Sequence, residues 1–184
     1  LYPVGNEGGR LRLTPRHYAY LRIAEGCDHP CTFCAIPLMR GKNLSKSIDD
    51  LVAEATELVA DGAQELILIA QDTGSYGLDR YQRQALPDLV AALGRVPGVR
   101  AQRLMYLHPA IATRGLVEMF GREPTLLPYV DLPIQHGSDP VLRRMRRGTT
   151  PDLLRARVAE LRARDPRMVL RTTIILGFPG ETEA

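Results

Sequence analysis

From Leu66 to Ala70 the chain places Leu-Ile-Leu-Ile-Ala without a polar interruption. A short apolar run of this kind suits a strand buried on both faces of a parallel sheet. Ahead of it the period changes. Between Ile48 and Asp61, Leu51, Val52, Ala55, Leu58 and Val59 recur on one helical face, Ser47 and Asp50 resemble a capping pair, and Gly62 suits the stop. A strand over Ala19 to Ala24 precedes that helix. The alternation then continues with a helix at about Leu86 to Gly94, a strand near Arg103 to Leu107 and a helix near Arg114 to Phe120. A strand at Tyr129 to Ile134 follows, then helices beginning near Asp139 and Pro151, and a final strand from Met168 to Leu176. Strands separated by helices predict parallel β/α units, and right-handed crossovers curl such units into part of a barrel. The expected fold class is α/β, a partial parallel (β/α) barrel.

Such a barrel carries its reactive groups at the carboxyl ends of its strands. Cys27, Cys31 and Cys34 follow the first strand, Gln71-Asp72-Thr73 the second, His108 the third, Gln135-His136 the fourth and Gly177-Phe178-Pro179-Gly180-Glu181 the fifth. They are expected to share one rim. Residues 1–18, with Gly5, Gly8 and Gly9 and little periodicity, read as a linker from a missing upstream domain. Residues 19–184 then form the core domain, truncated at its C-terminal end, with five of about six barrel strands present.

At 184 residues and 45% hydrophobic content the chain can bury one sizeable core. No segment approaches the roughly 20 apolar residues that cross a bilayer, and no signal-peptide succession occurs. The expectation is a cytoplasmic monomer with no membrane partner. A net charge of +3 is too small to argue for nucleic acid by itself. Arg143, Arg144, Arg146 and Arg147 read as a solvated helix end before Gly148, with a binding patch as the secondary reading.

Cys27, Cys31 and Cys34 are the chain's only cysteines and stand as Cys-Asp-His-Pro-Cys-Thr-Phe-Cys. Three thiolates on one loop can hold three irons of a four-iron cluster and leave the fourth open, since full coordination normally takes four. The alternative is a zinc knuckle closed by His29 or His17, although zinc loops usually bring a second ligand pair and none follows here. A disulfide framework suits neither an odd number of cysteines nor a chain this rich in core residues.

The triplet and the β/α series behind it resemble the radical S-adenosylmethionine enzymes. Longer strings resemble one branch, the methylthiotransferases. These are Ala24-Glu25-Gly26-Cys27, Cys34-Ala35-Ile36-Pro37, Arg40-Gly41, Gln71-Asp72-Thr73-Gly74-Ser75-Tyr76-Gly77, Leu132-Pro133-Ile134-Gln135-His136-Gly137-Ser138 and Gly177-Phe178-Pro179-Gly180-Glu181-Thr182. The resemblance spans residues 19–184. Members that modify transfer RNA typically carry Gln-Asn after the second strand, and those that modify a ribosomal protein carry Gln-Asp-Thr with Tyr-Gly later. Residues 71–77 match the second form. The resemblance therefore implies addition of a β-methylthio group to an aspartate of small-subunit ribosomal protein S twelve, with transfer RNA as the alternative substrate.

The same resemblance implies the cofactors and partners. A 4Fe-4S cluster on Cys27, Cys31 and Cys34 would bind S-adenosylmethionine at its free iron. An electron from reduced flavodoxin or ferredoxin would then release methionine and a 5′-deoxyadenosyl radical, which takes a hydrogen from the target carbon. A second 4Fe-4S cluster is expected in the missing N-terminal domain, and a small C-terminal β domain is also absent, so this piece alone is expected not to complete the reaction.

Phe33 sits where the family puts an aromatic beside the adenine, with loop packing as the other reading. Gln71 and Asp72 lie where strand-two groups approach the cofactor's amino group, although Asp72 equally suits a turn or cap. One of Ile174 and Ile175, the latter taken as the candidate, is expected to face the adenine, and Gly177 and Gly180 to admit close backbone approach or simply to turn. Arg171, a cation on a buried strand, needs a partner: a cofactor carboxylate, a substrate aspartate or a structural acid. His136 with Gln135 beside it is a substrate-side candidate, His136 and His108 both having the reading of satisfied core histidines. Arg40 and Lys42 offer charge balance for a cluster or are simply exposed.

Overall fold

Each strand expected from the apolar pattern joins one parallel sheet. The computed structural model describes residues 13–182, so most of the expected linker, residues 1–12, lies outside the described residues. In chain order the elements are β1 (Tyr18–Arg22), β2 (Ala24–Glu25), α1 (Ile36–Arg40), β3 (Leu44–Ser45), α2 (Ile48–Ala60), β4 (Glu65–Ile69), α3 (Leu78–Tyr81) and α4 (Leu86–Gly94). There follow β5 (Ala101–Leu104), α5 (Arg114–Glu118), β6 (Leu126–Asp131), α6 (Asp139–Arg144), α7 (Pro151–Arg164) and β7 (Val169–Arg171). The five long-range strands pair in the order β1-β4-β5-β6-β7, every pair parallel. Strands β2 and β3 form a separate antiparallel pair, Ala24 opposite Ser45 and Glu25 opposite Leu44. That pair clamps the base of the loop that carries the cysteines.

Alternation along the strands separates two faces. Leu21, Leu66, Leu68, Leu104 and Val130 point to the helix-covered side and are fully buried, packed with Leu51 and Ala55 of α2 and Leu86, Leu89, Val90 and Leu93 of α4. The opposite face is only half covered by the described residues and carries charge: Arg103 meets Glu65 at 2.6 Å and lies over the Tyr129 ring, and Arg171 meets Asp131 at 3.0 Å. Ile67 and Ile69 on that face are half-buried, so the Leu66–Ala70 run is sealed on one side rather than both.

The last strands are shorter than the apolar pattern predicts, and hydrogen bonding explains why. Pro133 offers no N–H to the ladder. Thr172 then takes over with its side chain, its hydroxyl donating to Leu132 O at 2.9 Å and accepting from Ile134 N at 3.2 Å. β7 therefore ends at Arg171, and only an isolated bridge between Gln135 and Ile174 continues the pairing. Among the described residues no helix is long and apolar enough to cross a membrane.

Behind β2 and β3, Lys46 is 1% exposed and its ammonium donates to Glu54 Oε2 at 2.7 Å. The Tyr76 hydroxyl caps the Lys46 carbonyl at 2.9 Å. Removing the ammonium takes from the Glu54 carboxylate a buried charged donor that water cannot readily replace. Lys46→Met is expected to cost about 3 kcal/mol in urea unfolding, and Lys46→Met with Glu54→Leu to recover most of that loss. A double variant as unstable as the single one would show that the cost comes from packing rather than charge.

Candidate metal centre and adjoining pocket

Four kinds of contact shape the cysteine loop. Cys27 N–H donates to Gly41 O at 3.1 Å, which ties the loop's entry to its exit. Thr32 N–H donates to Met145 O at 3.1 Å and its hydroxyl to Arg144 O at 3.0 Å, so the loop's middle caps the end of α6. Cys34 N–H closes a turn onto Cys31 O at 3.1 Å, and Asn43 N–H reaches Asp28 Oδ1 at 3.4 Å. Cys27 and Cys31 are buried, Cys34 is half-buried, and all three are free thiols. They converge on one cavity of about 240 Å³ whose other walls include Phe33, Gln71, His108, Gln135 and Arg147.

Burial pushes the Cys27 thiol up from its ordinary pKa. A hydrogen bond from the His29 backbone opposes the shift, and Asp72, Cys31 and Cys34 reinforce it. The three sulfurs thus feel one another, and deprotonating them together calls for a strongly positive centre between them. Among the described residues no three His, Cys, Asp or Glu side chains are gathered tightly enough to hold one metal ion. The three cysteines line one cavity as an all-thiolate donor set, and a set of that kind fits an iron–sulfur cluster.

Beneath the cradle sits Asp72, 2% exposed. Its Oδ1 accepts from Gly74 N at 3.1 Å and His108 N at 3.2 Å, and its Oδ2 from Ser75 Oγ at 2.7 Å, with His29 Nε2 also at 2.7 Å. Burial acts to raise this carboxyl, but the His29 and Ser75 hydrogen bonds and the nearby imidazoles hold it below its usual range. Its oxygens are fully engaged. These bonds are those of the turn former and cap that the sequence offered as the other reading of Asp72.

The His29 and His108 rings stack at 3.9 Å between centroids. His108 Nδ1 accepts from Ala110 N at 3.2 Å, so the neutral ring carries its proton on Nε2, which is buried and has no partner among the described residues. Burial first, then repulsion from Arg147 and His29, pushes the His108 pKa down to about 3, with Asp72 pulling the other way. An unfolded histidine titrates near 6.5, so between these values the unfolded chain holds the extra proton and stability falls as pH falls. Between pH 7 and pH 5 the protein is expected to lose about 2 kcal/mol more than its His108→Gln variant in urea unfolding. Parallel pH profiles for the two would refute the assignment.

Gln71 donates from Nε2 to Glu25 Oε1 at 3.0 Å, which fixes the amide's orientation because a carboxylate only accepts. Its Oε1 is left buried without a partner among the described residues. Glu25 also pairs with Arg22, and with Arg40 at 3.4 Å, so Arg40 is committed to a protein carboxylate rather than to the metal centre.

Of the residues expected to bind cofactor or substrate, the cavity brings together Phe33, Gln71 and Gln135 with the cysteines. It does not bring in Arg171, Ile175, Gly177 or His136. Arg171 is half exposed rather than enclosed in a buried strand, and its partner is the structural acid Asp131. Ile175 spends its N–H on Gln135 O at 2.7 Å, and a Cβ at Gly177 would meet nothing within 4 Å. His136 is a satisfied histidine, accepting from Ser138 N at 2.9 Å on Nδ1 and meeting Glu181 at 3.1 Å on Nε2. Residues not singled out for this cavity are Tyr106, Thr173 and above all Arg147, which the sequence presents as one more arginine of a solvated helix end.

Comparison with known proteins follows the same lines. The Radical SAM superfamily model matches residues 21–184. A ribosomal protein uS12 methylthiotransferase RimO from Flavobacterium psychrophilum is 51% identical over 176 residues, covering 96% of this chain and 41% of the relative. Proteins of the same name are 49% identical in Clostridium tetani, covering 98% of this chain and 40% of the relative, and 45% in Thermotoga maritima, covering 95% and 40%. The chain thus spans about 40% of the length of these curated relatives. Among solved structures, the radical S-adenosylmethionine methyltransferase TsrM from Kitasatospora setae aligns with a TM-score of 0.71 at 16% identity, over 90% of this chain and 32% of that one. The fold is shared at a distance where sequence is not. With the parallel sheet, the cysteine cradle at its rim and a match over nearly its whole length, the chain belongs to the Radical SAM superfamily.

Proposed function

We propose that this chain is the radical core of a methylthiotransferase that adds a β-methylthio group to an aspartate of the small-subunit ribosomal protein uS12. The observation that carries the reading is the meeting of three thiols with an orphan acceptor, Gln71 Oε1, and an orphan donor, His108 Nε2–H, in the walls of one cavity. Cys27, Cys31 and Cys34 would hold a 4Fe-4S cluster. With S-adenosylmethionine bound, that cluster supplies a 5′-deoxyadenosyl radical capable of removing hydrogen from an unactivated carbon.

The residues around it are suited to binding and orientation. Gln71 Oε1 would accept from the cofactor's ammonium and His108 Nε2 would donate to its carboxylate, while Phe33, 37% exposed at the mouth, offers a ring to the adenine. Gln135 would face the substrate side. Similarity to uS12 methylthiotransferases over 96% of the chain, together with Gln71-Asp72-Thr73, supports the ribosomal protein over transfer RNA. The reading includes residues 19–184 as the core of a longer cytoplasmic protein, a second 4Fe-4S cluster outside this chain, and reduced flavodoxin or ferredoxin as donor.

The test uses the complete protein, prepared anaerobically, reduced with dithionite and given S-adenosylmethionine. Release of 5′-deoxyadenosine and a gain of one methylthio group on uS12, with none on transfer RNA, is the expected result. Modification of transfer RNA instead would overturn the substrate, and absence of 5′-deoxyadenosine would overturn the chemistry.

A further inference from the structure

Arg147 is 7% exposed, and among the described residues no carboxylate pairs with it. Its Nη2 donates to Pro133 O at 2.7 Å and its Nη1 lies 3.4 Å from Cys31 Sγ. Nε is buried without a partner. A guanidinium taken out of water needs a counter-charge, because hydrogen bonds to a carbonyl do not neutralise it. The one group beside it able to carry negative charge through metal binding is the Cys31 sulfur.

The backbone delivers Arg147 to that place. After α6, Arg146 adopts a left-handed conformation at φ 50°, and Arg147 N–H closes onto Leu142 O at 3.1 Å. Arg143, Arg144 and Arg146 stay exposed while Arg147 turns inward. The loop's Thr32 is bonded to the Arg144 and Met145 carbonyls, so the helix end and Cys31 are held as one unit.

We infer that Arg147 is a positioning residue for the metal centre: its forked guanidinium fixes the Cys31 sulfur against the end of β6 and supplies the positive charge that eases one-electron reduction of the cluster. The inference rests on the reading that Cys27, Cys31 and Cys34 hold a 4Fe-4S cluster. In the step concerned, one electron passes from an external reductant to the cluster, and no bond to Arg147 forms or breaks. Hydrogen bonds to cluster sulfurs and nearby charge are established levers on such potentials. Lysine keeps the charge but lacks the fork that reaches sulfur and carbonyl together.

The complete protein and its Arg147→Lys and Arg147→Met variants would be reconstituted anaerobically and titrated against dithionite, with reduction followed by electron paramagnetic resonance. A variant lacking Cys27, Cys31 and Cys34 supplies the background of any other cluster. Arg147→Met is expected to be about tenfold harder to reduce, a shift of ~59 mV for a one-electron couple, with Arg147→Lys between it and wild type. Failure of Arg147→Met to load while a folded Arg147→Lys loads also supports the counter-charge. Loaded variants at the wild-type potential overturn the inference, as does loss of fold in both, or a folded Arg147→Lys that does not load. A wild-type protein that takes up no iron and sulfide at these cysteines defeats the underlying reading instead, a result distinct from any of these.

Discussion

Cys31→Ala is expected to abolish cluster assembly at this site, iron and acid-labile sulfide there falling from about four of each per chain to near zero. A cubane with one corner left for a small molecule has only three protein anchors, so each carries a larger share than in a site with four. Cys31 is also the sulfur with the most supporting structure: it is buried, it receives Arg147, and its carbonyl accepts the turn from Cys34. Alanine removes the ligand and leaves the guanidinium facing a methyl group. Cys34, half-buried at the outer edge of the loop, offers the comparison, since its loss removes a ligand without disturbing Arg147. Anaerobic iron and sulfide analysis with visible absorption reads both. A Cys31→Ala protein that still loads fully would mean that the cradle is not where the metal goes.

The sheet was legible because its strands carry leucine, isoleucine and valine with the right period, and burial of one face needs no knowledge of the partner. The cysteine loop was legible for a different reason: ligand spacing is local. What escaped the sequence were interactions whose partners lie far along the chain. Nothing near Arg171 indicates that Asp131, 40 positions earlier, would satisfy it across the β6–β7 pair. Asp72 sits at a strand end where ligand and turn former look alike, and its four hydrogen-bond partners, drawn from residues 29, 74, 75 and 108, are visible only in the fold. Arg147 was hidden by its neighbours, because four arginines before a glycine read as a solvated helix end until the left-handed Arg146 turns one of them inward. The missing information is the direction of a side chain after an irregular backbone step. Periodicity carries none of it.

Such a step also governs the second large effect. Gly26, immediately before Cys27, has φ 79°, and a Cβ built there would lie 2.1 Å from Lys42 O, 2.6 Å from Lys42 C and 2.7 Å from Gly41 O. These are backbone atoms, so no rotamer change relieves the overlap. Alanine would carry the left-handed penalty of about 1–2 kcal/mol and would also force residues 41–42 away from the loop. That displacement breaks the Cys27 N–H bond to Gly41 O and strains the β2–β3 pairing just outside it. The expected result for Gly26→Ala is a loss of more than about 4 kcal/mol in urea unfolding, at the severe end for a single substitution, together with failure to retain iron. Gly41 separates the two contributions: at φ 77° and ψ −162° it holds a conformation that glycine alone adopts readily, but a Cβ there meets nothing within 4 Å, so Gly41→Ala should cost about 1–3 kcal/mol and keep the metal. Equal behaviour of the two variants would mean that conformational preference alone acts at both glycines, and that close approach of the Gly41–Lys42 backbone does not define the cradle.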